Sequence, residues 1–524
     1  MKKSLYIMAA AALSLTMSSC EEDFLETKPS ERTSPEQIAD AAKLDPTLLN
    51  GFVAGLYTTM FNTGTGGTTN HDDFGQKGYD IFSDMIASDV VLAGTTYGWY
   101  SGIARYQATT DFTLNAGYQP WRYYYRIVFA ANTLIEILGG NDAVPEKAIN
   151  KHQMGQAKAM RAYAHFYLSQ YFSNGYGTGN EKTIPIYSSS ASDAQPRSTS
   201  AEVYNFIVKD LTEAVTLLEG FNRSAKNEIN QDVAKGLLAY AYASRGSQAD
   251  LQQVIELTDE LIGGNFRLLN PNEVVAQLGA NGEVLNPESG FNNVASPSWM
   301  WGVDLTVPNG LDLVSYWGQM DIFTYSYAWA GDPKTIDVGL YNAIREDDVR
   351  KGQFDPINGG IEAFYKEDGY GAGDMDLMPV NKFFDPNRVI GGQRVVVTDY
   401  VYMRLEEMVL LNAEAKARLG QDGPARDMLK TLMVKRIVPA SYAAYESQLD
   451  GLSGQALLDE IYLQTRIELW GEGKTYLAMK RLKKSVTRGS NHLFFQGQTY
   501  AWDSDELTFN IPQNEVVNNP VLNQ

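Results

Sequence analysis

Residues 400–435 read YVYMRLEEMVLLNAEAKARLGQDGPARDMLKTLMVK. Val401, Leu405, Met408, Leu411, Ala415 and Leu419 recur three or four residues apart, which places them on one face of an α-helix. Gly420 supplies a left-handed stop, and Pro424 suits the first turn of a second helix with Ala425, Met428, Leu429 and Leu432 on its apolar face. The stretch predicts a helical hairpin, and the small Ala413, Ala415 and Ala417 let its two helices approach closely. Glu406, Glu407 and Glu414 lie inside it. Salt bridges on the helix surface or between helices explain them better than a glycosidase carboxylate pair.

The small-residue helix, Leu-Gly end and resumed Ala-Arg-x-x-Leu are similar to a tetratricopeptide unit. One such hairpin cannot bury its apolar face alone, so partners are expected elsewhere in the chain. Gln231–Gly246 with Leu251–Gly263 repeats the pattern, and Tyr118–Leu138 with Lys147–Phe172 forms another candidate pair. Ser200–Leu218, Ser453–Lys484 and Leu44–Phe61 are further helical stretches, and Ser198 to Ser200 supply N-cap candidates. Wide spacing between them predicts an irregular, mainly α array.

At 524 residues the chain is long enough for about three domains by size alone. Its net charge of −20 argues against a nucleic-acid partner and against electrostatic docking on anionic lipid. Lys2, Lys3 and the apolar run Leu5–Met17 form a targeting segment, too short to span a bilayer, that ends at Ser18, Ser19 and Cys20. Cys20 is the only cysteine, which excludes an intrachain disulfide or CxxC metal site. Its place directly after the apolar run resembles a bacterial lipoprotein acceptor, although Met17 stands where Leu is usual. The thiol would carry acyl chains as an anchor. Residues 20–43 then read as a polar tether.

Between the helical patterns, 266–399 differs in kind. It is glycine-rich and holds Trp299, Trp301, Trp317 and Trp329, four of the eight tryptophans. It predicts a loop-rich insertion with short strands, Val395–Val397 being the clearest. Trp299 and Trp301 alternate in an extended run and belong to the core, while Trp121, Trp470 and Trp502 read as packing. Loops on a rigid frame are where binding residues gather. Tyr97, Trp99 and Tyr100 sit beside glycines with no helical or strand period, and they suit stacking on a sugar ring. Trp317, Tyr325 and Trp329 are candidates to converge with them, and Asp73 and Arg345 are candidate polar partners. Four histidines, without HExxH spacing, Walker loop or GxSxG elbow, leave no catalytic motif, and His152 and His165 read as structural. Glu367–Asp376 is acidic enough to suggest calcium but lacks EF-hand spacing, so no cofactor is expected.

Six motifs, in order, resemble the SusD/RagB family of Bacteroidetes outer-membrane lipoproteins: Cys20–Pro29, Gln156–Gly177, Pro196–Leu211, Arg404–Ala415, Arg466–Arg481 and Ile511–Gln524. Lys474 departs from the arginine common after Glu-Gly in that family, and a changed helix-surface hydrogen bond is expected there. The resemblance implies one α-rich domain over 44–524, with tetratricopeptide-like pairs and a loop-rich lobe. It also implies a surface-facing lipoprotein, anchored through Cys20, that captures an oligosaccharide and hands it to a SusC-like TonB-dependent transporter without acting as an enzyme. The acidic residues Glu21 to Asp23 resemble the family's surface-export signal, or else form a solvated tether. The loop of Trp99 corresponds in order to one where the family can place a ligand-stacking aromatic. Oligopeptide capture by the same architecture, a protein–protein adaptor and a glycoside hydrolase remain alternatives.

Overall fold

The computed structural model describes residues 35–173, 179–356 and 375–524. Cys20 and the leader lie outside them, as do residues 367–374 of the acidic run. The chain divides into two units, Met1–Leu49 and Asn50–Gln524. In the first, helix α1 (Pro35–Leu44) occupies the end of the stretch read as a tether, and a 3-10 turn (Pro46–Leu49) follows where the Leu44–Phe61 helix is expected to begin. Its sequence, PEQIADAAKL, is rich in good helix formers behind a proline suited to a first turn, a signal that its polarity masked.

In the second unit, α2 (Asn50–Thr58) and α3 (Gln76–Ile86) lead into a series of packed helices: α4 (Asn115–Ile137), α5 (Ala148–Tyr171), α6 (Ser200–Leu217), α7 (Gln231–Arg245) and α8 (Gln248–Ile262). α4 packs on α2, and each of the four helices after it packs on the one before. Their ends are written locally. The Thr199 hydroxyl accepts the Glu202 N–H, whose carboxylate accepts the Thr199 N–H at 2.7 Å; Ser247 and Asp250 form the same reciprocal cap. Gly246 turns left-handed at φ 72° between α7 and α8.

The series then continues across the insertion. α8 packs on α9 (Leu405–Arg418), which packs on α10 (Asp422–Met433) and on α12 (Gly454–Glu468). Asn412 on α9 joins the two sides by donating to Thr258 Oγ1 at 2.8 Å and Asp259 Oδ1 at 2.9 Å. The expected hairpin is present, with Gly420 at φ 74° between its helices, and Val409, Ala413, Ala417, Ala425 and Leu429 share one core. α11 (Pro439–Asp450) packs on α10, and α13 (Thr475–Leu482) joins α12 to α3.

Three expected elements differ. Tyr400–Arg404 is strand β6, not helix, and pairs antiparallel with β4 (Trp299–Val303), Val303 opposite Tyr400. The alternation of YVYMR satisfies a strand, and Val401 matched the helical period only because it stands four residues before Leu405. Both Trp299 and Trp301 are buried, since the pair is covered on both faces. Ser453–Lys484 is broken between α12 and α13, where Gly471 and Gly473 take φ of 77° and 73°. Val395–Val397 is not a strand: the Val396 N–H donates to Leu311, but the Val397 N–H donates to the Gln393 side chain, so no ladder forms.

Below β6 lies a buried charge network. Glu468 accepts from Arg404 at 2.7 Å, Arg436 at 2.8 Å and Arg350 at 3.0 Å. Glu472 accepts from Arg404 at 2.8 Å and from Lys382, in the insertion, at 3.0 Å. Burial would raise Glu472, but Arg404 and Lys382 overcome it and hold the carboxyl at about 2. Glu406 pairs with Arg404 and Glu414 with Arg481, at 3.1 and 2.7 Å. All are buried links between elements. Lys474 belongs to the same interior: its ammonium donates to Tyr402 O at 2.9 Å and faces Glu407 at 3.7 Å, so the expected surface hydrogen bond is an internal one. The stumps of the insertion are thereby bolted to the helical frame.

Candidate functional site

Strand β1 (Val90–Leu92) pairs with β5 (Lys334–Ile336), Leu92 opposite Lys334. This short ladder sets the loop after β1 beside the turn before β5. Asp332, itself fully buried, receives the N–H groups of Tyr97 at 2.9 Å and Gly98 at 2.8 Å. One carboxylate therefore fixes the loop tip, and Gly98 at φ 79° gives the backbone the turn it needs there.

Three segments bring rings to this point. His71 stacks on Trp99 with centroids 5.0 Å apart and planes 8° from parallel. Tyr327, from the insertion, packs edge-on to Tyr97 at 5.1 Å and to Trp99 at 6.1 Å, and its hydroxyl bonds His71 Nδ1. Tyr97 is 60% exposed, Trp99 and His71 are half-buried, and Tyr327 is buried beneath them. The arrangement is a platform of partly exposed rings, an imidazole stacked on an indole beside an exposed phenol, with apolar area and polar groups of the kind that stacking on a saccharide ring uses.

The floor is polar and closed. Gln319 donates to His71 O at 2.9 Å and accepts from Lys334 Nζ at 2.7 Å. Burial brings the Lys334 ammonium down to about 7 and pushes Asp72, which accepts from Gln119, up to about 6. The remaining candidates separate by burial. Asp73 has no exposed surface, and its carboxylate takes the N–H groups of Gly66 and Thr68, so it shapes the loop before His71 instead of meeting solvent. Tyr100 is 2% exposed, with its ring under the platform against Phe82. Trp317 is 1% exposed, packed edge-on to Tyr316 and near Phe383; it anchors the helical turn Trp317–Met320 that carries Gln319.

Tyr325 and Trp329 are half-buried and form a separate patch 5.6 Å apart, with the Arg394 guanidinium 4.1 Å over Tyr325. Arg345 is elsewhere, paired with Asp347 at 2.7 Å and Gln448 at 2.7 Å in a cavity of about 300 Å³ beside α11 and α12. His71 and Tyr327 were not among the expected site residues. His71 follows a glycine- and threonine-rich loop, and Tyr327 sits midway between Tyr325 and Trp329; only the β1–β5 pairing shows that it is the middle ring that turns toward Trp99. Among the described residues no group of three or more His, Cys, Asp or Glu is arranged to hold a metal ion, and no helix is long and apolar enough to cross a membrane.

Residues 23–245 match a family model described as starch-binding, associating with outer membrane, and residues 322–524 match the model of the SusD family. The chain belongs to the SusD/RagB family. Two SusD-like proteins of Formosa agariphila are 21% and 23% identical over 435 and 474 residues; these spans are 78% and 87% of this chain and 79% and 85% of theirs. Solved SusD-type structures share its fold. A SusD-like carbohydrate binding protein from Bacteroides vulgatus is 22% identical with a TM-score of 0.68, covering 90% of this chain and 96% of that one. Surface glycan-binding protein A from Bacteroides thetaiotaomicron, solved in complex with laminarihexaose, is 14% identical with a TM-score of 0.64, over 90% and 97%.

Proposed function

We propose that this SusD protein captures oligosaccharides on the platform of Tyr97, Trp99, His71 and Tyr327 and delivers them to a SusC-like TonB-dependent transporter. In this reading Cys20 anchors the chain by lipid to the outer membrane, with the platform facing outward. The observation that carries capture is the partly exposed ring cluster held by Asp332. A SusD-type relative of the same fold was solved with a bound glucan hexamer, which supports the ligand class. The role is binding without turnover. Asp332 and Asp73 are occupied by backbone N–H groups and the buried Asp72 by the Gln119 amide, which argues against an acid–base pair at the rings.

A soluble form starting at Glu21 would be screened against plant and host glycans and a mixed peptide library, beside Trp99→Ala. Retention of one glycan class, lost in the variant while thermal unfolding stays cooperative, is the expected result. Retention of peptides alone would replace the sugar by a peptide cargo. Release of reducing sugar would overturn the non-enzymatic reading.

A further inference from the structure

A cavity of about 490 Å³ opens between α4, the segment 187–192 and the C-terminal helix Gln513–Asn518. Tyr118, Trp121, Tyr125 and Phe129 line it, and Phe129 is 59% exposed. Arg122 and Arg126, one helical turn apart, line it as well. The Arg122 guanidinium lies 4.3 Å over the Tyr118 ring, and its Nε is buried with no hydrogen-bond partner. Among the described residues neither arginine has a carboxylate partner. The lining carboxylate, Glu515, accepts from Asn519 Nδ2 at 2.8 Å. Glu136 nearby is occupied by the Ser189 hydroxyl and the Ser190 N–H, at 2.6 and 2.7 Å.

Two neighbouring cations without a carboxylate partner among the described residues stand out in a chain of net charge −20, where the buried Arg161, Arg404 and Arg436 are each matched to carboxylates. A guanidinium that lines a cleft without a carboxylate to neutralise it offers its charge to an oxyanion, and the adjoining rings offer apolar area. One loop links this cleft to the platform. Gly67, at φ 81°, lies so close to Arg122 that an added Cβ would stand 2.7 Å from the guanidinium carbon, while the far end of the same loop carries His71.

We infer that this cleft is a second saccharide subsite, selective for a sugar unit that bears an oxyanion, with Arg122 and Arg126 holding the charge and Tyr118 and Phe129 the ring. It rests on the reading of the chain as a carbohydrate-capture protein. A uronate carboxylate and a sulfate ester supply the same charge, and the test separates them.

Binding of three hexasaccharides would be measured by calorimetry on the soluble chain: an oligogalacturonate, a sulfated carrageenan oligomer and a neutral β-glucan. The variants are Arg122→Ala, Arg122→Lys, Arg126→Ala and Trp99→Ala, each first checked for unchanged thermal unfolding. At least one acidic oligomer is expected to bind, to weaken with salt, and to lose about tenfold or more in affinity in Arg122→Ala with partial recovery in Arg122→Lys. Whichever acidic oligomer shows this names the oxyanion. Neutral binding alone, acidic binding indifferent to both arginines, or no binding of either acidic oligomer overturns the subsite. Neutral binding lost in Trp99→Ala keeps the platform reading when the subsite fails. Acidic binding that needs Arg122 but not Trp99 supports the subsite and counts against the platform.

Discussion

The buried ion network and the aromatic platform hold their residues in opposite ways. Glu468 and Glu472 meet Arg404, Arg436, Arg350 and Lys382 through several hydrogen bonds each, all out of solvent. The loop of Tyr97 and Trp99 meets the rest of the protein through one carboxylate at the backbone and a few ring contacts, with both rings partly exposed. In the network any single loss leaves charges stranded where water cannot reach. On the platform a ring can be exchanged without stranding anything. The frame is therefore intolerant of change and the binding surface permissive, within one chain and only a few elements apart.

Glu468→Ala should have the largest effect. It removes the acceptor of three buried arginines, and breaking a buried pair from one side costs about 3–5 kcal/mol. Chemical denaturation measures it, and a loss under about 1 kcal/mol would mean that the network is not the frame's fixture. Trp317→Ala follows at about 3–5 kcal/mol, because a wholly buried indole leaves a cavity. Binding should weaken with it through the helical turn that carries Gln319, so a variant that keeps full stability and loses only binding would put Trp317 at the ligand after all.

The network also predicts an acid limb. The Glu472 carboxyl is held at about 2, below its ordinary 4.5, so its stabilisation is complete above about 4.5 and drains away as pH falls toward 2. Glu472→Gln should flatten that part of the stability–pH curve; an unchanged slope would assign the acid sensitivity to other carboxylates.

Smaller again is Asp332→Ala, which frees two N–H groups of the loop. About 1–3 kcal/mol of stability should go, with weaker sugar binding, since the rings remain but their loop is no longer set. Binding at full strength would show that the platform does not need the clamp. Trp99→Ala should cost least in stability, about 1 kcal/mol for its stacking, yet about tenfold or more in affinity. The reverse order of those two losses would make Trp99 a packing residue.

The frame was legible because its signals are local. Period, cap and left-handed glycine occur within a few residues, as at Thr199, Gly246 and Gly420. Tyr400–Arg404 escaped because a five-residue strand has too few side chains to outvote the helix that follows it. The site was legible only in outline. Tyr97 and Trp99 stood out as aromatics among glycines, but the burial of Tyr100, Asp73 and Trp317 follows from tertiary packing. His71 and Tyr327 stand far apart in sequence, and no local pattern could bring them together.

The packing of α8 on α9 has a bearing on how this lineage could diversify. Everything from Gly263 to Arg404 is an excursion whose two ends return to adjacent helices. The entropy of closing such a loop grows only with the logarithm of its length, so even doubling it would cost about 0.6 kcal/mol. Exposed turns of the excursion, away from its strands, its buried core and the anchors Trp317, Arg350 and Lys382, can thus be lengthened or shortened at little thermodynamic penalty, and new cargo preferences can be tried on an old scaffold that scarcely registers the exchange.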